Sequence, residues 1–432
     1  MNTGFPMLRN YRVLDFSQFV AGPTCTRILA EAGADVIKVE LAPGGDRSRM
    51  QGLKPRDKDR AGSSQSTYYF QHNHSKRSLA VDFRHPESRK LLRQLAAQSD
   101  VVVENFTPGV MARAGLGYED LRALNTKIIM CSISLAGQTG PLSGKPGYDY
   151  IAQAYSGVTS LIGESDRSPS QIPIAIGDVS TGVTAAMAIG FALLHRERTG
   201  EGQFIEATLI DTYLHMHESN IPKVAIRGEA FVPHRAGSQH PDGGPMGNFR
   251  CNDGTFLNIS VLPHQWPQLV QALGKPELLE DRRFASAHAR RDNDALIGRI
   301  VEEWLATFPD RVAAIEALEQ ERIPCAPVLT LNEAVVHPHL VQRGSVREVT
   351  DPQIGTFKIP GMPAKFSSWP DRTDLHADML GEHNEDILRE LGIPEGRITE
   401  LYREGVIVRD RLLERLESPC PKEDVTPPQY RE

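Results

Sequence analysis

Asp178 raises the first question about chemistry, because it is the one ionisable side chain in the stretch GDVSTG, directly before a long apolar helix. That helix is predicted from Val183 to Leu194, and apolar residues on nearly all its sides predict that it is buried. One interpretation of Asp178 is an N-cap, since Asp, Ser and Thr accept hydrogen bonds from the first N–H groups of a helix. Ser180 and Thr181 are better placed for capping, so a chemical role for the Asp178 carboxylate stays open.

Charge and cysteine usage argue against several classes of function. The chain has 432 residues and a formal net charge of -7, without the basic stripe that nucleic-acid binding requires. Its five cysteines are scattered and include no CxxC pair, which predicts reduced thiols in a cytoplasmic protein rather than a disulfide framework or a zinc site. The N-terminus does not resemble a signal peptide, and no apolar run approaches the length of a membrane span.

Histidine doublets are the remaining candidates for metal ligands. None has a cysteine or carboxylate at ligand spacing, so they are interpreted as structural or exposed, and no metal is expected. These doublets are His72/His74, His215/His217 and His337/His339.

The elements that must position Asp178 follow from an alternation of strand and helix patterns between Arg12 and Ser134. Helical patterns at 24–32 and 86–99 separate strand-like runs, which are VLDF, ADVIKVE, SLAVDF, DVVVENF and KIIMCSIS. This alternation predicts an α/β fold with a mostly parallel, doubly wound, Rossmann-like sheet and helices on both faces. The turn after the first strand, SQFVAGP, lacks G-x-G-x-x-G, which argues against a dinucleotide-dependent dehydrogenase.

A second, smaller α+β domain is predicted in the middle of the chain. Residues 1–220 form the predicted large domain, 221–330 the small one and 331–370 a returning linker, and 371–432 complete the large domain. The stretch HRAGSQHPDGGPMGNFR is rich in Gly, Pro and His, which is typical of a mobile loop or an interdomain segment. Prolines punctuate residues 338–370, which are therefore expected to be irregular, before the helical pattern NEDILRELG.

Nine stretches, in this order, resemble the family III CoA transferases, the group that includes formyl-CoA:oxalate and carnitine CoA transferases. They extend over nearly the whole chain, and their combination is more specific than any one of them. The stretches are VLDFSQFVAGPTCTRILAEAGADVIKVE, GGDRSR, KRSLAVDF, DVVVENFTPGVMARAGLGY, SISLAGQTGP, KPGYDY, GDVSTG, RTGEGQFIEATLIDT and LGEHNEDIL.

The resemblance favours the chemical role of Asp178, because the family's aspartate at this position is the nucleophile. It implies an enzyme that moves CoA from an acyl-CoA thioester to a free carboxylic acid through a mixed anhydride and an aspartyl-CoA thioester. N–H groups near Gly177 would stabilise the oxyanions, and the positive helix end would favour an ionised Asp178. Gly177 and Gly182 would admit the thioester, or serve only turns and packing.

The resemblance also implies which residues contact coenzyme A, which is part of the acyl-CoA substrate. The cations among them suit the CoA phosphates, although each alone is also typical of a solvated surface. Leu41 and Ser134 depart from the pattern, since the formyl-CoA member has arginine and lysine there. The implied contacts are Val20, Ala21, Val81, Arg84, Asn105, Phe106, Arg113 and Lys145.

The acyl group is expected beside Tyr148 and Asp149 in KPGYDY, where Asp149 replaces a glutamate of the oxalate-using member. Both residues also suit a simple turn. Gly243 and Gly244 resemble a shortened form of the glycine-rich loop that covers the family's aspartyl intermediate, or they belong to a flexible linker.

Two other functions stay open. The related α-methylacyl-CoA racemases use a histidine in a GHD motif, whereas this chain has Gly147-Tyr148-Asp149, and an ordinary tyrosine is a much weaker base near neutral pH. A non-catalytic acyl-CoA-binding protein is the other alternative, and the intact GDVSTG argues against it. The resemblance finally implies an interlaced homodimer, and it leaves the two acids unidentified. From charge and hydropathy, no nucleic-acid or membrane partner is expected.

Overall fold

The computed structural model describes residues 6–54, 64–241, 244–369, 372 and 374–413. The chain divides into two compact units: the first comprises Met1–Asp149, Ala175–Thr212 and Gln342–Glu432, and the second Tyr150–Ile174 and Tyr213–Val341. The sequence instead predicts one continuous large domain from residue 1 to residue 220.

Local hydrogen bonds explain why the structure assigns part of that range to the second unit. The Gln153 amide donates to the Ile172 carbonyl, 3.3 Å away, and the His217 ring lies 3.0 Å from the Ser156 carbonyl oxygen. Arg235, beyond the predicted boundary at residue 220, also donates to the Glu164 carbonyl, 3.0 Å away, so residues on both sides of that boundary are joined within one unit.

A parallel sheet of six strands forms the centre of the first unit, in the order β3-β2-β1-β4-β5-β6. The five strands predicted between Arg12 and Ser134 are confirmed, and β6 is an addition. Val101, Val102 and Val103 in β4 are fully buried, as expected for a parallel strand covered on both faces. The strands are β1 (Arg12–Asp15), β2 (Asp35–Leu41), β3 (Arg77–Val81), β4 (Val101–Glu104), β5 (Ile129–Ser134) and β6 (Phe204–Thr208).

Helices connect these strands, and the two predicted between Thr24 and Ser99 are confirmed as α1 and α3. The core combines strand residues such as Leu14 and Val102 with Leu92 of α3 and Leu121 of α5. Through α7, the helices are α1 (Ala21–Glu31), α2 (Thr67–Asn73), α3 (Pro86–Ala97), α4 (Val110–Arg113), α5 (Tyr118–Arg122), α6 (Asp149–Tyr155) and α7 (Ile176–Thr199).

Helix α7 is longer and less buried than the sequence predicts. It begins at Ile176, so Asp178 lies in its first turn rather than before it. Every fourth residue or so on one side is exposed, including Met187 at 53% and Phe191 at 65%. The expectation of burial on all sides was therefore wrong, and α7 presents an apolar stripe made of Val179, Val183, Met187, Phe191 and Leu194.

The opposite side of α7 packs against α1. A Cβ placed on Gly182 would lie 2.5 Å from the Ala21 carbonyl oxygen, so glycine is needed for this close approach. By length and composition alone, α7 is the one helix among the described residues that is apolar enough to cross a membrane, contrary to the expectation that no such run exists. In the structure it is instead partly buried against α1 and the sheet.

The second unit contains a three-stranded antiparallel sheet, β7 (Met246–Arg250), β8 (Phe256–Ser260) and β9 (Cys325–Pro327). Its core packs Phe249 and Leu257 against Trp266 and Phe284. Strand β7 covers part of the stretch that was predicted to be a mobile loop. The helices from residue 209 to 342 are α8 (Leu209–His215), α9 (Asn220–Arg227), α10 (Trp266–Leu273), α11 (Ala287–Asp292), α12 (Asp294–Leu305), α13 (Arg311–Gln320), α14 (Leu331–Ala334) and α15 (Pro338–Gln342).

The C-terminal part of the first unit is more regular than predicted. An antiparallel hairpin of β10 (Val346–Asp351) and β11 (Gly355–Pro360) lies within the stretch expected to be irregular, which corrects that prediction. Val349 and Ile359 of this hairpin are buried beside Phe70, so tertiary packing outweighs the effect of the prolines. The predicted helix NEDILRELG is confirmed as α16 (Asn384–Glu390), and α17 (Glu395–Arg403) follows.

This C-terminal segment completes the edge of the sheet beside β3. The Asn384 side chain accepts a hydrogen bond from the Ala80 N–H, 2.8 Å away, and Val81 pairs with Ile407 in an isolated bridge. Residues from the two ends of the chain thus share one core.

Candidate active site

A cavity of about 450 Å³ lies in the first unit, next to the carboxyl ends of β1 and β4. In a parallel sheet of this strand order, the order reverses between these two strands, and ligands bind in the crevice at that point. The described residues that line the cavity are Gln18, Phe19, Val20, Ala21, Leu41, Arg47, Phe83, Asn105, Phe106, Thr107, Val110, Ile133, Ser134, Leu135, Pro146, Gly147, Tyr148, Asp178 and Leu209.

The loop between β1 and α1 forms one wall and is held by hydrogen bonds to the ends of other strands. The Asn105 side chain, after β4, accepts from the Gln18 N–H and donates to the Gln18 carbonyl, both at 2.8 Å. Phe19 has a φ of 65°, unusual for a bulky residue, and its N–H donates to Asp46 at 3.2 Å. Its ring meets the edge of Tyr148 at a centroid distance of 6.1 Å. Neighbouring elements therefore fix this wall.

Asp178 reaches the same cavity from the first turn of α7. The residue at the cap position is Ala175, so the structure does not support Asp178 as the N-cap. The Asp178 N–H donates instead to Asp149 Oδ1, 3.0 Å away. The buried Asp149 carboxylate thereby satisfies an N–H that the helix itself leaves without a partner, and the Asp178 carboxylate is not needed for this purpose.

The surroundings of Asp178 favour its protonated form. Burial, reinforced by the charge of Asp149, raises the pKa of Asp178 from its ordinary value of 3.8 to about 7. The sequence had suggested a site that favours ionisation, and burial with a like charge outweighs the helix end. Burial also raises the pKa of Tyr68, and the charge of Asp178 adds to this effect, so Tyr68 lies within electrostatic range of Asp178.

A buried charge cluster supports the β1–α1 wall from behind. Asp15 is fully buried, 3.0 Å from Lys76 Nζ and 3.9 Å from Lys38 Nζ, and Lys38 pairs with Asp46 at 2.8 Å. Burial alone would raise the pKa of Asp15, but Lys38 and Lys76 outweigh it and hold this pKa well below its usual range. Lys38 also donates to the Ser17 carbonyl, which ties the cluster to the loop.

A second buried pair adjoins this cluster. Arg49 Nη2 lies 2.6 Å from Glu40, and the guanidinium stacks 3.5 Å from the centre of the Tyr69 ring. Burial would raise the pKa of Glu40, but Arg49 outweighs burial and lowers it to about 2. The segment GGDRSR, which joins β2 to α2, is therefore anchored by paired charges.

Half of the predicted CoA contacts line the cavity, namely Val20, Ala21, Asn105 and Phe106. Val81 is instead buried in the core at the end of β3. Arg84 is exposed and pairs with Asp82 at 3.0 Å. Arg113, at the end of α4, and Lys145 are exposed and do not line it either. The structure thus does not bring the three predicted cations into the cavity, and their contact with CoA stays a prediction.

The residues predicted to face the acyl group have different positions. Tyr148 lines the cavity and is 64% exposed. Asp149 is buried beside Asp178, as described above. Gly243 lies outside the described residues, and Gly244 belongs to the second unit, where it precedes β7.

Several lining residues were not assigned a role from the sequence. Leu41 and Ser134, noted only as departures from the family pattern, both line the cavity. Arg47 lines the cavity as well. It belongs to the motif GGDRSR, to which no role was assigned from the sequence. Phe19, which lines the cavity, and Tyr68, which lies within electrostatic range of Asp178 without lining the cavity, were missed because ring contacts and electrostatic range depend on tertiary structure.

Among the described residues, one group has side chains at metal-ligand separations: His376, Asp378 and Glu382, with ligand atoms within 4.8 Å of one another. His383 Nδ1 lies 2.7 Å from Asp378, and His376 Nε2 lies 3.3 Å from it. These side chains therefore contact one another, and the group does not line the cavity.

Comparison with known proteins places this geometry in a family. A profile of CoA-transferase family III matches residues 8–384. A succinyl-CoA–D-citramalate CoA-transferase of Chloroflexus aurantiacus is 33% identical over 93% of this chain and 98% of its own length. A succinate–glutarate CoA-transferase of Agrobacterium fabrum is 35% identical over 89% and 96%. The crystal structure of a CAIB/BAIF family protein from Brucella suis superposes with a TM-score of 0.77 at 32% identity, covering 90% of this chain and 100% of that one. The chain belongs to CoA-transferase family III.

Proposed function

We propose that this CoA transferase works through a covalent intermediate on Asp178. One observation carries the proposal: Asp178 is the only carboxylate among the described residues that line the cavity. A second supports it, since the capping role of Asp178 is not needed when Asp149 accepts its N–H.

The steps follow from the chemistry of a carboxylate nucleophile. An Asp178 oxygen attacks the thioester carbon, the carbon–sulfur bond breaks, and CoA leaves as a thiolate with an anhydride on Asp178. The thiolate attacks the Asp178 acyl carbon, which releases the donor acid and leaves an aspartyl-CoA thioester. The acceptor carboxylate then repeats these two steps in reverse order and restores the Asp178 carboxylate.

The raised pKa of Asp178 is consistent with this role. A carboxylate with a pKa of about 7 is more basic, and therefore more nucleophilic, than an ordinary aspartate, while much of it remains ionised at neutral pH. The positive end of α7 adjoins the carbon under attack, where it favours the developing oxyanion.

Trapping of the intermediate tests the proposal. The protein is incubated with succinyl-CoA and hydroxylamine, digested, and analysed by mass spectrometry, and we expect one labelled peptide, containing Asp178. Asp178→Asn should abolish the label, whereas Asp166→Asn, at an exposed aspartate of the second unit, should retain it. A label on another residue would exclude Asp178 as the carrier.

For substrates, we propose short dicarboxylic acids in the cytoplasm. The support is that the two curated relatives described above are named for succinyl-CoA or succinate together with a second dicarboxylic acid. A panel of acceptor acids with succinyl-CoA as donor, followed by mass analysis of the thioesters, identifies the pair. Exchange of α-hydrogen with deuterated water without CoA transfer would instead indicate a racemase.

For assembly, we propose a homodimer in which a second copy covers the apolar stripe of α7. A row of exposed Val, Met, Phe and Leu side chains on one helix is unusual for a monomer's surface. Phe191→Glu should weaken the dimer, as measured by light scattering, and Arg122→Glu serves as an exposed control. A wild-type monomer with full activity would contradict this proposal.

A further inference from the structure

The charges of the cavity suggest a role for a residue that no other observation has assigned. Arg47 is the only cation among the described residues that line it, and Asp178 the only anion. The positions of Leu41 and Ser134 are neutral, and the three cations expected to meet CoA lie outside the cavity. An acyl-CoA carries phosphates, which are bound in proteins mainly by arginine and lysine.

Arg47 is held in place by its neighbours on both sides. It begins a short 3-10 helix, Arg47–Met50, whose cap is Asp46 with a 2.8 Å bond from the Ser48 N–H. Asp46 is buried and paired with Lys38, and Arg49 is buried and paired with Glu40. The backbone that carries Arg47 is therefore anchored at both ends, which lowers the entropy lost when a ligand binds there.

The guanidinium of Arg47 is itself available. It is exposed, and no described residue forms an ion pair or a side-chain hydrogen bond with it. Arg49, two residues on, is fully buried and has its donors satisfied by Glu40 and the Asp378 carbonyl. Of the two arginines in GGDRSR, one maintains the fold and the other faces the cavity.

The electrostatics of Asp178 indicate which anion Arg47 meets. Arg47 is not among the groups that shift the pKa of Asp178: burial and Asp149 raise this pKa to about 7, whereas a guanidinium beside the carboxyl would lower it. Arg47 thus acts away from the reacting carbon. A short acyl group on Asp178 stays near that carbon, whereas the CoA tail extends away from it.

We propose that Arg47 binds a phosphate of the acyl-CoA substrate and is the cation by which this cavity selects CoA over thioesters without phosphates. The proposal rests on the proposed function, because it takes acyl-CoA as the ligand of the cavity.

Calorimetry with matched ligands tests the role of Arg47. Arg47→Gln should weaken CoA binding about 10- to 100-fold, the range for a charge-assisted hydrogen bond, and Arg47→Lys should restore part of it. Arg122→Gln, at an exposed arginine of α5 outside the cavity, should bind CoA normally. Unchanged CoA affinity in Arg47→Gln would overturn the proposal.

Two ligand comparisons separate the phosphate from other anions. Arg47→Gln should lower the affinity for succinyl-CoA and for butyryl-CoA by the same factor. A loss of affinity confined to succinyl-CoA would assign Arg47 to the acyl carboxylate instead. Succinyl-pantetheine, which has no phosphate, should bind equally to both proteins, and an equal loss with this ligand would also overturn the proposal. Labelling of Asp178 should persist in Arg47→Gln at saturating succinyl-CoA, so failure of the covalent mechanism would appear separately, as absent labelling in the wild type.

Discussion

The first unit contains two groups of buried or partly buried carboxylates with opposite electrostatics. Behind the β1–α1 wall, Asp15 and Glu40 are paired with lysine or arginine, and these cations lower the pKa of both carboxyls despite burial. At the start of α7, Asp178 has another carboxylate, Asp149, as its charged neighbour, and its pKa rises to about 7. The same type of side chain is thus stabilised as an anion in one place and kept near its midpoint of ionisation in the other.

Under the proposed function, this difference separates maintenance of the fold from chemistry. A carboxylate that neutralises a buried cation is needed in its charged form, and removing it leaves that cation unpaired. A carboxylate that must form and break a bond to carbon works best with a pKa near the operating pH. We therefore expect mutations in the first group to reduce stability and mutations in the second to change rate or pH dependence.

The largest effect should come from Asp178→Asn. An amide neither attacks a thioester usefully nor leaves from an anhydride, so kcat for transfer should fall on the order of 10⁴-fold. Circular dichroism and CoA affinity should stay close to wild type, because Asp149 still accepts the backbone N–H of residue 178. Transfer at a near wild-type rate would contradict the division between the two groups.

Asp15→Asn should have the largest effect on stability. It leaves Lys38 and Lys76 without their shared partner, and breaking such a buried pair costs about 3–5 kcal/mol in the free energy of unfolding. Urea denaturation measures this cost. The matched control is Asp35→Asn, at a partly exposed carboxylate paired with Arg12 and Arg77, where we expect about 1 kcal/mol or less. Equal losses for the two variants would remove the distinction.

Asp178 should also make stability depend on pH in the sense opposite to Asp15. Its pKa in the folded protein, about 7, exceeds the ordinary value of 3.8. Between pH 3.8 and pH 7, the folded protein therefore holds a proton on Asp178 that the unfolded chain has lost. Stability due to this residue therefore decreases from pH 4 to pH 7. At pH 8, Asp178→Asn should be more stable than wild type by ~1–2 kcal/mol after allowance for partial exposure, and the gain should vanish near pH 4.

The smallest effect is expected for Asp149→Asn. The amide oxygen can still accept the Asp178 N–H, but the like charge is gone, so the pKa of Asp178 should decrease. The acid limb of the kcat/KM profile should move to lower pH, by less than the full shift because burial remains the larger cause. Asp166→Asn should leave the profile unchanged. A shift to higher pH would show that Asp149 stabilises the Asp178 anion.

The sequence predicted much of this arrangement because its signals are local. Alternating apolar runs located the strands, and the motif GDVSTG drew attention to Asp178, which lines the cavity. It did not predict that α7 begins at Ile176, since no capping side chain marks that end. Asp149, which accepts the N–H of Asp178 in the first turn, lies 29 residues away in the chain. It missed Arg47 because nothing in GGDRSR distinguishes the buried arginine from the one that lines the cavity.

The return of the C-terminal segment to β3 has a consequence for biosynthesis. Asn384 and Ile407 complete the sheet beside which the cavity lies, so the first unit lacks part of its core until nearly the whole chain has left the ribosome. The second unit ends at Val341 and has all its strands by then. The second unit can therefore fold before the first unit is complete, and a premature stop that removes the last helices leaves Asp178 on an incomplete scaffold.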